Sequence, residues 1–304
     1  MRFGISIPQG AGGGFDPEAF RAYVRRAEEL GFDSGWTQEQ VLTMAGTPQL
    51  GATETMTYAA ACTDRLRLGC SVFVTPLHNP VHLAKSLATL DYLSGGRLEA
   101  GVGTGGQGRM FSAFEVDPTR LVSRFTEGVR LLKELWASDK VTFDGQFWQL
   151  DGARVDPKPV QRPGPPLWFG GSAPAALRRA VKYGDGFFGA GSTTTAKFAD
   201  QVRIVREALA DSGRDPAGFG LAKRIYFAID DDGDRARRHV DEELERLYGK
   251  PGMGVVGVAG TAQDVVAGAR EVAAAGAEMI LFTPVSDEAA QMERVAAEVV
   301  PHVG

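Results

Sequence analysis

The stretch Leu68–Gly106, LGCSVFVTPLHNPVHLAKSLATLDYLSGGRLEAGVGTGG, decides the fold. It reads as a buried strand, a proline-punctuated loop, an amphipathic helix, a double-glycine stop and a second strand that runs into glycines. A strand–helix–strand unit with glycines at the carboxyl end of its second strand is a frame for a bound cofactor.

Working outward, the apolar period predicts eight strands, near residues 2–8, 33–38, 66–74, 97–103, 166–171, 186–190, 221–229 and 278–284. Helical patterns fall between them near 16–30, 52–63, 80–94, 119–137, 173–183, 194–212, 233–248 and 261–275, with a last one at 286–300. Strict alternation implies parallel strands joined by right-handed crossovers. A glycine recurs where helix hands over to strand, at Gly31, Gly95-Gly96, Gly184 and Gly276, a position suited to the left-handed helix stop.

Eight such units in 304 residues predict an α/β fold of the (β/α)₈ TIM-barrel class, one domain over 1–304. Two longer segments are read as insertions after strands 4 and 7. Residues 141–165 predict a small hairpin with a proline-rich return, and 249–260 a glycine-rich loop. Barrel active sites lie at the carboxyl ends of strands, which directs attention to Gln38–Gln40, Ser71–Thr75, Gly103–Gln107, Gly170–Ala173, Gly189–Ser192 and Thr283–Pro284.

Composition narrows the function. Hydrophobic residues make up 43%, charged residues 23%, and the net charge is −5, which argues for a globular protein and against nucleic acid as partner. The two cysteines, Cys62 and Cys70, are too few for a disulfide framework. With no charged-then-apolar leader and no long apolar run, a cytoplasmic protein that neither spans nor binds a membrane is expected.

The motifs are read against ordinary structure. Gly101–Gly106 matches GxGxxG, but it follows the fourth strand and Gln107–Pro118 reads as loop, so a dinucleotide fold is set aside in favour of a backbone surface for a flat ring. Gly170–Pro174 opens a helix whose free N–H groups, with the Ser172 hydroxyl, suit a phosphate; Ser172 as a plain N-cap is compatible with this. His78 and His82 stand four apart across Asn79-Pro80 and lack a third ligand, so no metal is expected. The run Asp230–Asp234 reads as a solvated helix cap.

With SVFVTPLHNPVHLAKSLATLDYLSGGRLEAGVGTGG, FDSGWTQEQ and PLWFGGSAPAALRRAVKYGDGFF in matching order, the chain resembles the bacterial luciferase-like oxidoreductase superfamily, most of all its F420-dependent branch. The resemblance implies a TIM barrel, commonly dimeric, that holds an isoalloxazine-type ring at the strand ends. It implies a non-prolyl cis peptide at Ser71–Val72 in a bulge behind the ring, ring contacts at Thr104, Gly105 and Gly106, and a phosphate cradle at Gly171, Ser172 and Ala173. Glu39 and Gln40 match an acid–histidine pair, with glutamine standing where several members have histidine. Glutamine exchanges no proton at neutral pH, so the acid–base role falls to Glu39 or to solvent.

The function so implied is hydride transfer between F420 and a small organic substrate. The alternatives are an FMN-dependent two-component monooxygenase and a non-catalytic flavin-binding protein. Trp36, Met110, Phe111 and Trp148 are candidate pocket residues, and Arg178 and Arg179 candidate partners for the acidic tail of F420.

Overall fold

The computed structural model describes residues 1–11, 13–42, 48–106 and 110–304, the side chain of Met110 excepted. Its elements in chain order are β1 Arg2–Ser6, α1 Pro17–Glu29, β2 Ser34–Thr37, α2 Ala52–Cys62, β3 Arg67–Val74, α3 Pro80–Leu93 and β4 Leu98–Gly103. Then come α4 Met110–Ala113, α5 Leu121–Ala137, β5 Val141–Asp144, β6 Gln149–Ala153, β7 Leu167–Gly170, α6 Pro174–Tyr183 and β8 Gly186–Gly189. The chain finishes with α7 Thr195–Ser212, β9 Gly220–Ile229, α8 Gly233–Tyr248, β10 Gly257–Gly260, α9 Ala262–Ala274, β11 Met279–Pro284 and α10 Glu288–Arg294.

Strands pair in the order β9–β11–β1–β2–β3–β4–β7–β8, and β8 returns to β9, closing an eight-stranded parallel barrel. All eight strands predicted from the apolar period are present. The deciding stretch folds as read: Asn79 caps α3 by accepting from the N–H groups of Val81 (2.9 Å) and His82 (3.4 Å), with Pro80 in the first turn. Gly95 (φ +67°) and Gly96 (φ +86°) then turn the chain into β4.

The barrel interior is filled by Trp36, Trp168, Phe188, Ala222, Met279 and Leu281. Two indoles fit because glycines face them: a Cβ at Gly69 would lie 2.3 Å from the Trp36 ring, and one at Gly220 2.4 Å from that of Trp168. Each fully buried ring contributes roughly 3 kcal/mol through area alone. Near the amino-terminal strand ends buried Glu99 accepts from Trp168 Nε1 (2.7 Å) and Arg67 Nε (2.6 Å), so the lower end of the barrel is closed and polar-satisfied.

The segment read as a hairpin is one: β5 and β6 pair antiparallel, Phe143 opposite Leu150 and Asp144 opposite Gln149. Glu127 of α5 fastens its turn by accepting from the N–H groups of Gln146 (2.9 Å), Phe147 (2.7 Å) and Trp148 (3.0 Å). Buried Asp91 of α3 holds the proline-rich return through the backbone N (3.0 Å) and side-chain Nε2 (2.7 Å) of Gln161.

Two readings are corrected. Residues 249–260, expected to be loop throughout, contain the 3-10 turn Met253–Val256 and the strand β10. The cause is tertiary: β8 pairs with β9 only as far as Lys223, so Tyr226–Ile229 keep an open edge, and β10 pairs along it. Residues 107–118, also expected as loop, include the single helical turn α4; Gln107 lies outside the described residues. The final helix, read over 286–300, is α10 followed by a π turn at Val295–Val299. Among the described residues no helix is long and apolar enough to cross a membrane.

Candidate active site

The carboxyl ends of the strands form a mouth with two unlike halves. One half is built by β3, β4 and β7. The Ser71–Val72 peptide is cis, and the pairing of β3 with β4 shifts register between Cys70 and Phe73, as the resemblance implied. The bulge lays the Val72 side chain across three glycines: a Cβ would meet Val72 methyls at 3.2 Å from Gly101, 2.7 Å from Gly103 and 3.1 Å from Gly170. At Gly105 (φ +72°) it would meet Val74 at 2.6 Å.

The glycine wall is thereby corrected in part. Gly101 and Gly103 are buried, and the close approach they permit is taken by β3: the Cys70 carbonyl oxygen at Gly101 (2.1 Å from a built Cβ) and the Val72 side chain at Gly103 (2.7 Å). Among the described residues there, Thr104, Gly105 and Gly106 reach the surface, and nothing lies within 4 Å of a Cβ built at Gly106. The surface on offer to a ring is therefore Val72 and Val74 flanked by the backbone of 104–106.

Gly171, Ser172 and Ala173 lie at the end of β7, where α6 begins. The N-cap is Ala173, not Ser172, and no side chain caps the helix. Pro174 has no N–H, Ala176 N turns back to Ala173 O (2.8 Å), and the Ser172 hydroxyl has no partner among the described residues. The Ala175 N–H left over in the first turn, flanked by a free hydroxyl and small residues, fits a phosphate group.

The other half, formed by β9, β11, β1 and β2, is a cavity of about 270 Å³ with a mixed apolar and polar lining. Gln9, Gln38, Gln40, Gln49, Arg224 and Thr283 line it, above the buried Trp36. Gln49 Oε1 and Thr283 Oγ1 are buried and have no hydrogen-bond partner among the described residues. This acceptor and this hydroxyl are available to hydrogen-bond a molecule in the cavity.

Arg224 joins the halves. Its Nη1 donates to Gln38 Oε1 (2.7 Å), and its Nη2 donates to Ser71 Oγ (2.6 Å) and Ser71 O (3.2 Å). Gln38 is fixed in turn by Gln9, whose amide accepts from Gln38 N (2.7 Å) and donates to Gln38 O (3.0 Å). The adjacent Lys223 points to the other face of β9, by strand alternation. Its ammonium donates to Ala190 O (2.6 Å) and Arg224 O (2.8 Å), and burial, with the Arg224 charge, pushes it down to about 7.

The expected pair Glu39–Gln40 is split just beyond the end of β2. Gln40 faces the cavity, whereas Glu39 turns toward the end of β3, where Oε2 accepts from Val74 N (2.6 Å) and Oε1 lies 2.8 Å from His78 Nε2. His78 and His82 do not converge, since His78 precedes the Asn79 cap and His82 lies inside α3. Among the described residues no cluster of three or more His, Cys, Asp or Glu is arranged to hold a metal.

Several candidates fall elsewhere. Trp36 belongs to the core, with its ring edge-on to Trp168 and Phe188, and reaches the cavity only as its floor. Phe111 packs in a cluster with Val116 and Leu121, and the side chain of Met110 lies outside the described residues. Trp148 sits on the hairpin under the Arg124 guanidinium, 4.7 Å from its ring centre. Sequence reading missed His78 as a partner of Glu39, and it missed Arg224. A signal for the latter was present: Lys223-Arg224 places adjacent cations in an otherwise apolar strand, so one of them must face inward.

Residues 1–301 match the luciferase-like monooxygenase family. The chain belongs to that family. Among luciferase-like relatives, the F420-dependent glucose-6-phosphate dehydrogenase of Amycolatopsis mediterranei (strain U-32) is 33% identical over 184 residues, 57% of this chain and 53% of that one. The phthiodiolone/phenolphthiodiolone dimycocerosates ketoreductase of Mycobacterium sp. (strain JLS) is 32% identical over 187 residues, 61% of this chain and 49% of that one. The chain thus spans about half the length of these curated relatives. An F420-dependent secondary alcohol dehydrogenase, solved with an F420-acetone adduct, superposes with a TM-score of 0.86 at 22% identity, covering 100% and 99% of the two chains. That likeness shows the barrel fold.

Proposed function

We propose that this chain is an F420-dependent oxidoreductase that transfers a hydride between the deazaflavin C5 and a small organic substrate. The observation that carries the reading is the division of the mouth. An uncapped anion cradle and an apolar shelf over a bulge stand on one side, and a cavity with open hydrogen-bonding atoms stands on the other. The F420-dependent relatives support it. A bound deazaflavin supplies the two-electron chemistry; the residues of the chain supply position and proton traffic.

In this reading Gly171–Ala173 hold the phosphate, Val72, Val74 and Thr104–Gly106 back the ring, and Ser71, held by Arg224, fixes the bulge. Gln40, Gln49 and Thr283 orient the substrate. His78 carries the proton, and Glu39 holds its imidazole; Gln40 has no acid–base capacity. That dyad speaks against a non-catalytic binding protein. A homodimer belongs to the same reading through the family resemblance.

The family's monooxygenase members give FMN as the second reading, since its phosphate fits the same cradle. Titration of the purified protein with F420 and, separately, FMN, followed by ring fluorescence, decides between them. Saturable F420 binding is expected; tight FMN binding with none of F420 overturns the proposal.

A further inference from the structure

A groove of about 810 Å³ runs between α1 and α10, beside the mouth of the barrel. Buried Phe20, Tyr23 and Met292 form its floor, and Phe15, 44% exposed, stands at the end nearest the mouth. The Tyr23 hydroxyl donates to Ser6 O (2.9 Å), so its polar tip is satisfied at the end of β1 and its ring is left to the groove. Exposed alanines on the facing walls, Ala22 of α1 and Ala290 of α10, keep the space open. From Asp16 to Arg26 the groove extends roughly 15 Å at 1.5 Å per residue.

It is blind at one end and continuous with the substrate cavity at the other. At the far end Arg26 and Glu293 close it with a two-pronged ion pair, Nε to Oε1 at 2.5 Å and Nη2 to Oε2 at 2.9 Å. At the near end Gly10 and Glu288 line both the groove and the 270 Å³ cavity that holds Gln40, Gln49 and Thr283. Gly10 is held there by backbone pairing with Gln49, and it puts no side chain into the passage.

The charges along the groove select the ligand. Arg26, the cation among the described lining residues, is occupied by Glu293. Asp16 caps α1 by accepting from the N–H groups of Glu18 (2.9 Å) and Ala19 (3.2 Å). Asp287 and Glu288 have no ion-pair partner among the described residues, so the passage is negative and repels an anion such as a sugar phosphate. An uncharged apolar chain meets aromatic and thioether surface instead.

We propose that the α1–α10 groove is an extension of the substrate site that takes the alkyl chain of an uncharged alcohol or ketone, whose oxygen-bearing carbon lies in the cavity beside Gln40 and Thr283. This rests on the oxidoreductase reading above and names its substrate class. Each methylene buried in the groove strengthens binding by about fourfold.

The test is a chain-length series read in two ways, on wild type and on Ala22→Trp and Ala290→Trp, which fill the groove from opposite walls at exposed positions. Calorimetric titration with 2-butanone, 2-hexanone and 2-octanone measures binding. Turnover of the matching 2-alkanols with oxidised F420, and of the ketones with reduced F420, measures kcat/KM. In wild type both are expected to climb about fourfold per methylene. In either variant the climb is expected to flatten, with thermal melts showing that the protein is folded. A flat wild-type series, variants that keep the climb, or glucose 6-phosphate oxidised more efficiently than 2-octanol overturns the groove. So does a variant that changes only the oligomeric state, since the groove then belongs to a contact between copies. If ketone binding climbs with length and the variants abolish the climb, yet F420 is turned over with none of the series, the groove stands and the F420 reading falls. If F420 is turned over with a flat series, the reading stands and the groove falls.

Discussion

His78 Nε2 lies 2.8 Å from Glu39 Oε1, and the other oxygen of Glu39 accepts from Val74 N at 2.6 Å. The carboxylate is thus anchored to the backbone of the β3 end and presents one oxygen to the imidazole, whose ring stands edge-on to buried Phe73. An imidazole with one nitrogen assigned by a carboxylate has its other nitrogen free to exchange a proton. In the proposed reading this imidazole is the proton carrier, since position 40 holds glutamine.

The His78→Gln variant is therefore expected to lower kcat/KM by about 100-fold or more, with the dissociation constant for the cofactor little changed. Glu39→Gln is expected to fall less and to displace the pH profile, because the imidazole persists without its orienting charge. Steady-state assays followed by ring absorbance over a range of pH check both. A His78→Gln enzyme with wild-type rates and an unchanged profile would falsify the assignment.

The bulge makes a second prediction at Gly103, where a Cβ would lie 2.7 Å from Val72 Cγ2. Gly103→Ala is expected to push Val72 off its seat, costing about 1–3 kcal/mol and weakening cofactor binding. Gly218→Ala, in the turn ahead of β9 and with nothing within 4 Å, is the control, expected to stay within about 0.5 kcal/mol of wild type. Thermal melts and cofactor titrations of the two variants, compared side by side, measure the difference.

Lys223 links stability to pH. Its folded value, about 7, lies below the ordinary 10.5 of a free lysine because the ammonium is buried and stands beside Arg224. Between those values the unfolded chain binds more protons than the folded one, so stability rises with pH through this window and is lost as pH falls toward 7. Raising the pH from 7 to 9 is expected to add roughly 2 kcal/mol from this group. Lys223→Met removes that slope. Urea unfolding of both proteins at the two pH values gives the comparison; parallel slopes would mean that Lys223 is charged in the fold.

What could be read along the chain was whatever depends on near neighbours. Apolar period and glycine stops located eight strands, and the Asn79-Pro80 and Gly95-Gly96 signals bounded α3, because capping and left-handed turns are settled within a few residues. Small residues ahead of α6 marked where that helix begins for the same reason, though not the identity of its N-cap. The glycines after β4 signalled close approach without naming what approaches. The answer, Val72 and Val74, depends on a register shift between two strands.

By itself, then, the sequence determined the repeating βα unit, the closed barrel it leads to, and the end of the barrel where ligands belong. Closure decided the rest. It set Arg224 against Ser71, 153 positions away, and Glu39 against His78, 39 positions away; it also left the upper edge of β9 open for β10. Periodicity states which way a side chain faces, but its partner is whatever strand order and register bring opposite. Only the assembled barrel specifies those.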